Sequence, residues 1–199
     1  MTAPAKPPER ILIDRQDTPI GVALLAVDEA GYLRAFDWED YGHRQAQLLE
    51  RFAGGAPTSE GPAPAQIRDA VTAYLDGELE ALRTIPWRSG GTQFQLKCWD
   101  ALCAIPAGRT ASYGEQAVRI GRPNAMRAVG LANGCNPVGV IVPCHRVIGA
   151  SGSLTGYGGG LWRKRWLLRH EGATFRDDVD ALDARGGAGS TQARLRSIA

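Results

Sequence analysis

The sequence is short of the groups that tie a small protein together covalently or through a metal. Its 199 residues hold four cysteines, Cys98, Cys103, Cys135 and Cys144, and three histidines, His43, His145 and His170. No two cysteines form a CxxC pair, and none occurs before residue 98. That excludes a disulfide framework and the ligand spacing of a structural zinc. No metal and no cofactor is expected, and the cysteines should be thiols in a reducing compartment. No apolar run approaches the roughly 20 residues of a membrane span. The opening MTAPAKPPER lacks the apolar core of a signal peptide. The expectation is a cytoplasmic protein without membrane contact. A charged fraction of 22% beside a hydrophobic fraction of 44% excludes wholesale disorder. The length allows one domain or two small ones.

A formal net charge of +2 hides a strong asymmetry. Residues 1–91 carry nine Lys and Arg against fourteen Asp and Glu, a balance of −5. Residues 92–172 carry ten against three, a balance of +7, and residues 173–199 carry four of each. The basic segment points to an anionic partner, nucleic acid first.

Local patterns divide the chain at the same place. Residues 1–9 read as a flexible arm. Alternation over 10–15, 22–27 and 32–38, with turn residues between, predicts an antiparallel meander. A helix is expected over 42–52, a loop over 54–64 and a second helix over 66–75. These elements make an N-terminal α/β scaffold over 10–84, followed by a linker over 85–91. The second half, 92–172, reads as mainly helical. A helix is expected over 94–104, then one capped by Ser112 with Glu115 at the capping-box position. After a break at 121–123, a further helix capped by Asn124 runs to about 133. Helix, short break, helix is the helix-turn-helix arrangement. A short buried strand is expected over 139–143, a Gly-rich loop over 150–160 and an amphipathic helix over 161–170. Residues 173–199 read as a flexible tail.

The chemistry gathers at Pro143-Cys144-His145-Arg146-Val147. A thiol beside an imidazole can become a thiolate nucleophile. Neighbours in a regular strand face opposite ways, so the two cooperate only if the chain bends. Taken alone, the pair reads more readily as core than as chemistry, and so do Cys98, Cys103 and Cys135.

Residues 92–172 resemble the catalytic domain of the O6-alkylguanine-DNA alkyltransferases, the methylated-DNA–protein-cysteine methyltransferases. The resemblance is carried by Phe94-Gln95, Trp99, Ser112-Tyr113-Gly114, Arg127-Ala128-Val129-Gly130, Asn136-Pro137, Pro143-Cys144-His145-Arg146-Val147, Gly156-Tyr157, Gly159-Gly160, Lys164 and Leu167 through Gly172. Leu33 through Glu39 and Gln47-Leu48-Leu49 are similar, more loosely, to the bacterial single-protein form. The resemblance implies an α+β protein, with an N-terminal antiparallel-sheet (RNase H-like) domain before a winged-helix-like DNA-binding domain. It implies direct-reversal repair, in which the alkyl group of O6-alkylguanine in duplex DNA moves irreversibly to Cys144, with O4-alkylthymine left open. It makes His145 the base acting through a water, Glu171 its orienting carboxylate and Asn136 a brace. Tyr113, Val147, Tyr157, Gly158 and Gly159 would form the base pocket. Arg127 would fill the stack behind a flipped base, with Ser112, Tyr113 and Ala128 beside it on the DNA. The implied partner is double-stranded DNA approached through the minor groove by a monomer, with cooperative binding left open. Family members that bind zinc do so in the first domain, which here has only His43. The alternatives are a lesion-sensing alkyltransferase-like protein, which lacks an acceptor thiol, a cysteine hydrolase and a plain helix-turn-helix regulator.

Overall fold

A computed structural model of the chain describes residues 6–177. The expected meander forms from β1 (Ile11–Gln16), β2 (Ala23–Asp28) and β3 (Leu33–Trp38). β1 pairs with β2 from Ile11↔Asp28 to Gln16↔Ala23, and β2 pairs with β3 from Ala23↔Trp38 with a register shift after Ala26. The sheet has a fourth member where a loop was expected. β4 (Thr58–Glu60) lies parallel to β1, giving the order β3-β2-β1-β4. Its three residues are all exposed and polar, so no alternation marks it as a strand.

Two helices flank the sheet. α1 (Gly42–Ala53) buries Leu48, Leu49 and Phe52 on one stripe and ends at Gly54, whose φ of 70° is the left-handed stop that glycine supplies without strain. α2 (Ala65–Leu75) buries Ile67, Ala70, Val71 and Tyr74 at helical spacing. The linker then runs beside β3, where the Leu33 N–H donates to the Pro86 carbonyl and the Arg88 N–H donates to the Leu33 carbonyl. One apolar cluster continues from Leu25 and Phe36 of the sheet through Trp99 and Leu102 to Val142 and Leu167. The two halves share that core.

In the second half, α3 (Gln93–Cys103) and α4 (Tyr113–Arg119) each begin with a complete capping box, Thr92 with Gln95 and Ser112 with Glu115. α5 (Met126–Gly134) starts one residue later than expected. Ala125 sits at its N-cap without a side-chain bond, so Asn124 is not the cap. Residues 139–143 are turns, not a strand. Their apolar run is buried by the surrounding core rather than by a ladder, and periodicity alone does not separate these cases. Pairing here is limited to a bridge from Phe36 to Val138 and to β5 (Ala111–Ser112) alongside β6 (Val147–Ile148). α6 (Leu161–His170) matches its expected span.

The described parts of the two ends have contacts. The Lys6 carbonyl accepts from Arg34, and Ala173 and Phe175 pack against Ile148, Leu154 and Leu168. The rest of the expected tail, 178–199, and residues 1–5 lie outside the described residues. Among the described residues no helix is long and apolar enough to cross a membrane.

Candidate active site

Cys144 is presented by a turn that its neighbours hold shut. The Asn136 Nδ2 donates to the Val142 carbonyl at 2.7 Å, and the Asn136 Oδ1 accepts from the Val138 N–H at 3.0 Å. Between these anchors Val140 takes a φ of 68°, a strained value for a β-branched residue. The chain then enters a 3-10 turn, Cys144–Arg146, after Pro143. The bend that cooperation requires is therefore present. Cys144 stays partly exposed while His145 is fully buried.

His145 leads into a buried ionic network. Its Nε2 lies 3.0 Å from Glu171 Oε1. Arg146 clamps the same carboxylate, with Nε 2.9 Å from Oε2 and Nη2 2.8 Å from Oε1. The Tyr74 hydroxyl, from α2, donates to Oε1 at 2.9 Å. Burial alone would raise the Glu171 carboxyl, but His145 and then Arg146 hold it well below the usual carboxylate range. A carboxylate only accepts, so the bond to His145 puts the imidazole proton on Nε2. The lone pair then sits on Nδ1, which is buried and has no hydrogen-bond partner among the described residues. Burial pushes the imidazole below its ordinary value, against the pull of Glu171. Burial likewise raises the Cys144 thiol, opposed by Asn136, Lys164 and Arg44. At neutral pH the pair at rest is a thiol and a neutral imidazole.

Cys144 opens into a cleft of about 250 Å³ lined by Tyr113, Gly130, Asn133, Tyr157 and Gly158 among others. An adjoining recess adds Trp38, Arg44, Asn136, Gly139 and Gly159. The glycines in this wall allow close packing. A Cβ on Gly158 would lie 2.6 Å from the Arg44 guanidinium, and one on Gly159 2.7 Å from the Trp38 ring. Buried side chains pin the same loop. The Lys164 Nζ donates to the carbonyls of Val147 and Thr155 at 2.6 and 2.9 Å. Burial pulls that amine down to about 8. The Arg163 Nη1 donates to the Gly159 carbonyl at 3.0 Å. Thr155 donates to the Tyr113 oxygen at 3.1 Å, which leaves the Tyr113 O–H a donor. Val147 is the one expected pocket residue that lines neither space. It is buried in β6, and its carbonyl receives Lys164.

The helix pair beside the cleft is tied down from below and open above. The buried amides of Gln116 and Asn133 bond to each other, and Gln116 also donates to the Cys98 carbonyl. Trp99 Nε1 donates to the Ala132 carbonyl. The outer surface holds Arg127 and Ala128, both exposed, with Met126 and Leu131, the latter 74% exposed. Arg127 makes no hydrogen bond or ion pair with the described residues, whereas Ser112 is spent on its capping box.

Sequence reasoning missed four contributors here. Tyr74 and Arg44 come from the N-terminal half, and Arg44 donates to the carbonyls of Gly134 and Asn136 while paired with Asp37. Arg146 and Lys164 stood out only as letters of a motif. A basic side chain flanked by buried positions was the signal available for those two, and Tyr74 and Arg44 had none. Burial pushes the thiols of Cys98 and Cys103 up to about 11, as inert core thiols. Among the described residues no group of three or more His, Cys, Asp or Glu is placed to hold a metal.

The chain is similar to known proteins over most of its length. Residues 93–173 match the family described as 6-O-methylguanine DNA methyltransferase, DNA binding domain. A methylated-DNA–protein-cysteine methyltransferase of Salmonella typhimurium is 47% identical over 166 residues, covering 82% of this chain and 96% of that protein. A Mycobacterium tuberculosis protein of the same description is 49% identical over 140 residues, covering 69% of this chain and 84% of the relative. The crystal structure of M. tuberculosis OGT in complex with DNA superposes with a TM-score of 0.68 at 41% identity, covering 86% of this chain and 99% of that one. On these matches, the chain belongs to the methylated-DNA–protein-cysteine methyltransferase family.

Proposed function

We propose that the protein repairs alkylated DNA by direct reversal, moving the alkyl group of O6-alkylguanine in a duplex onto Cys144 once and irreversibly. The observation that carries this reading is a partly exposed thiol at a glycine-walled cleft, next to a buried His145–Glu171 pair with an unpartnered Nδ1. In the proposed step His145 Nδ1 takes the Cys144 proton through a water. The sulfur then attacks the alkyl carbon in line with O6. The S–C bond forms, the C–O6 bond breaks, and the guanine anion recovers a proton. The Tyr113 hydroxyl, a donor at the cleft wall, faces that leaving group. Cys144 ends as a thioether with no route back, so each molecule acts once.

Base flipping is part of the proposal, because the O6 atom is enclosed in the stack. Arg127, exposed and unpaired, fills the gap, with Ala128 and the Ser112–Tyr113 turn beside the backbone. The small and apolar outer face of α5, with Met126 and Leu131, suits a minor-groove approach. Asn136 braces the turn, and Tyr157, Gly158, Gly159 and the chain at Val147 shape the base pocket. The order β3-β2-β1-β4 with a parallel last strand supports an RNase H-like N-terminal half. The α4–α5 pair with its short β5–β6 pairing supports a winged-helix-like C-terminal half. We read the protein as a cytoplasmic monomer. The thiol at Cys144 separates this reading from a lesion sensor that lacks an acceptor.

The experiment is a comparison of Cys144→Ser with the parent on a duplex carrying O6-methylguanine. The parent should gain one methyl group, about 14 Da, and the variant none, while both bind the duplex equally. Methylation of the variant overturns the assignment.

A further inference from the structure

Tyr74 belongs to the half of the chain that carries net negative charge, on a helix that lines neither the cleft nor its recess, yet its hydroxyl reaches the carboxylate behind His145. It is 97 residues away in sequence from Glu171 and 1% exposed. Its position is set by α6 itself. The His170 Nε2 donates to the Tyr74 carbonyl at 2.7 Å, and the His170 ring meets the Tyr74 ring edge-on with centroids 5.1 Å apart. Trp166 stacks on the His170 ring, with centroids 4.8 Å apart. The clasp fixes α2 against the end of α6, one residue from Glu171.

We propose that Tyr74 is a positioning residue for the transfer reaction: its hydroxyl shares the charge of Glu171 and holds that carboxylate in register with His145 Nε2. The proposal rests on the repair reading above and deepens it. Glu171 Oε1 has three donors, His145, Arg146 and Tyr74, so its negative charge is divided among them. Tyr74 keeps its proton; burial and the neighbouring carboxylate both raise its hydroxyl further above the ordinary phenol value. Removing the hydroxyl leaves more of the carboxylate's charge on the His145 N–H. That favours the imidazolium, which has no lone pair for the Cys144 proton. The charged and titratable groups around His145 are Lys164 of α6 and Glu171 just after it, Cys144 and Arg146 from its own turn, and, through Glu171, Tyr74 from α2. α3 places Cys103 beside Arg146 in a separate cavity. In this way the sheet half reaches the carboxylate behind His145 through one hydroxyl, apart from the Arg44 and Trp38 side chains beside Cys144.

The test is single-turnover transfer from methylated duplex as a function of pH, for the parent, Tyr74→Phe and Thr72→Ala. Thr72 is exposed on the same helix and controls for loss of a nearby polar group. Tyr74→Phe should bind duplex normally, react up to about threefold more slowly at pH 7, and lose activity on acidification at a midpoint roughly half to one pH unit higher. Thr72→Ala should match the parent. An unchanged rate and midpoint in Tyr74→Phe overturns the inference, as does a slower rate with an unmoved midpoint. If Tyr74→Phe does not fold, 3-fluorotyrosine placed at position 74 supplies a stronger donor. It should move the midpoint down, and no movement overturns the inference. Absence of transfer by the parent overturns the repair reading itself.

Discussion

The Asn136 amide spans the turn before Cys144, donating to the Val142 carbonyl 2.7 Å away while accepting from the Val138 N–H. Both partners are buried, so no water replaces the amide when it is removed. The strained Val140 between them costs about 1–3 kcal/mol that these bonds help to offset. Asn136→Ala should therefore lower the unfolding free energy by about 2–4 kcal/mol, read by urea titration. Transfer should fall with it, because the turn aims the sulfur. A variant with parental stability contradicts this.

Arg163 sews the pocket loop to the N-terminal half. Its guanidinium bonds to the Ile20 and Gly159 carbonyls, forks onto Asp40, and lies over Trp38 and Trp162. Asp40 is half exposed, so the two carbonyl bonds and the ring contacts matter more than the ion pair. Arg163→Ala should cost about 2–4 kcal/mol. Arg163→Lys should recover less than half of it, because an ammonium cannot reproduce the flat fork. Thermal melting of the three proteins checks both.

Acid sensitivity follows from His145 and Glu171. His145 is held below its ordinary 6.5 by burial. Once pH falls under that value the unfolded chain binds a proton that the folded chain refuses. Stability is therefore full above about 6.5 and declines below it, by up to roughly 1.4 kcal/mol per pH unit. Glu171 lies below its ordinary 4.5 and adds a second decline beneath that pH. Urea midpoints measured from pH 8 to 5 should fall on the acid side, and His145→Gln should flatten the decline between 6.5 and 5. An equally steep decline in the variant contradicts the assignment.

The charge of residues 92–172 is less available than its sum of +7 implies. Arg146, Arg163 and Lys164 are buried and spent on carbonyls and carboxylates. Exposed cations remain on the helix pair, at Arg119, Arg122 and Arg127. Arg127→Ala should leave stability within about 0.5 kcal/mol of the parent. It should slow transfer from duplex at least tenfold, yet leave transfer from the free alkylated base unchanged, since nothing there has to be flipped. Equal losses on both substrates contradict a role in the stack.

Much of this was legible from the sequence where one residue type serves one local purpose. Ser112 and Glu115 announced a helix start that the structure has in full. The span of α6 and the meander followed from periodicity. Asn124 misled because its type fits a cap but the chain turns once more before α5. The run at 139–143 misled because apolar residues look alike whether a ladder or a packed turn buries them. Tyr74 sits at core spacing with Ile67, Ala70 and Val71. Only the tertiary fold turns its hydroxyl toward Glu171. Long-range contacts of this kind leave no periodic mark in a single sequence.

Stoichiometric titration with the adduct located by peptide mass would decide whether Cys144 is the acceptor. With methylated duplex in excess, restored guanine should level off at about one per protein molecule, with every methyl group on Cys144. Restoration that continues past one equivalent, or a methyl group found on Cys98, Cys103 or Cys135 instead, would contradict single transfer to Cys144.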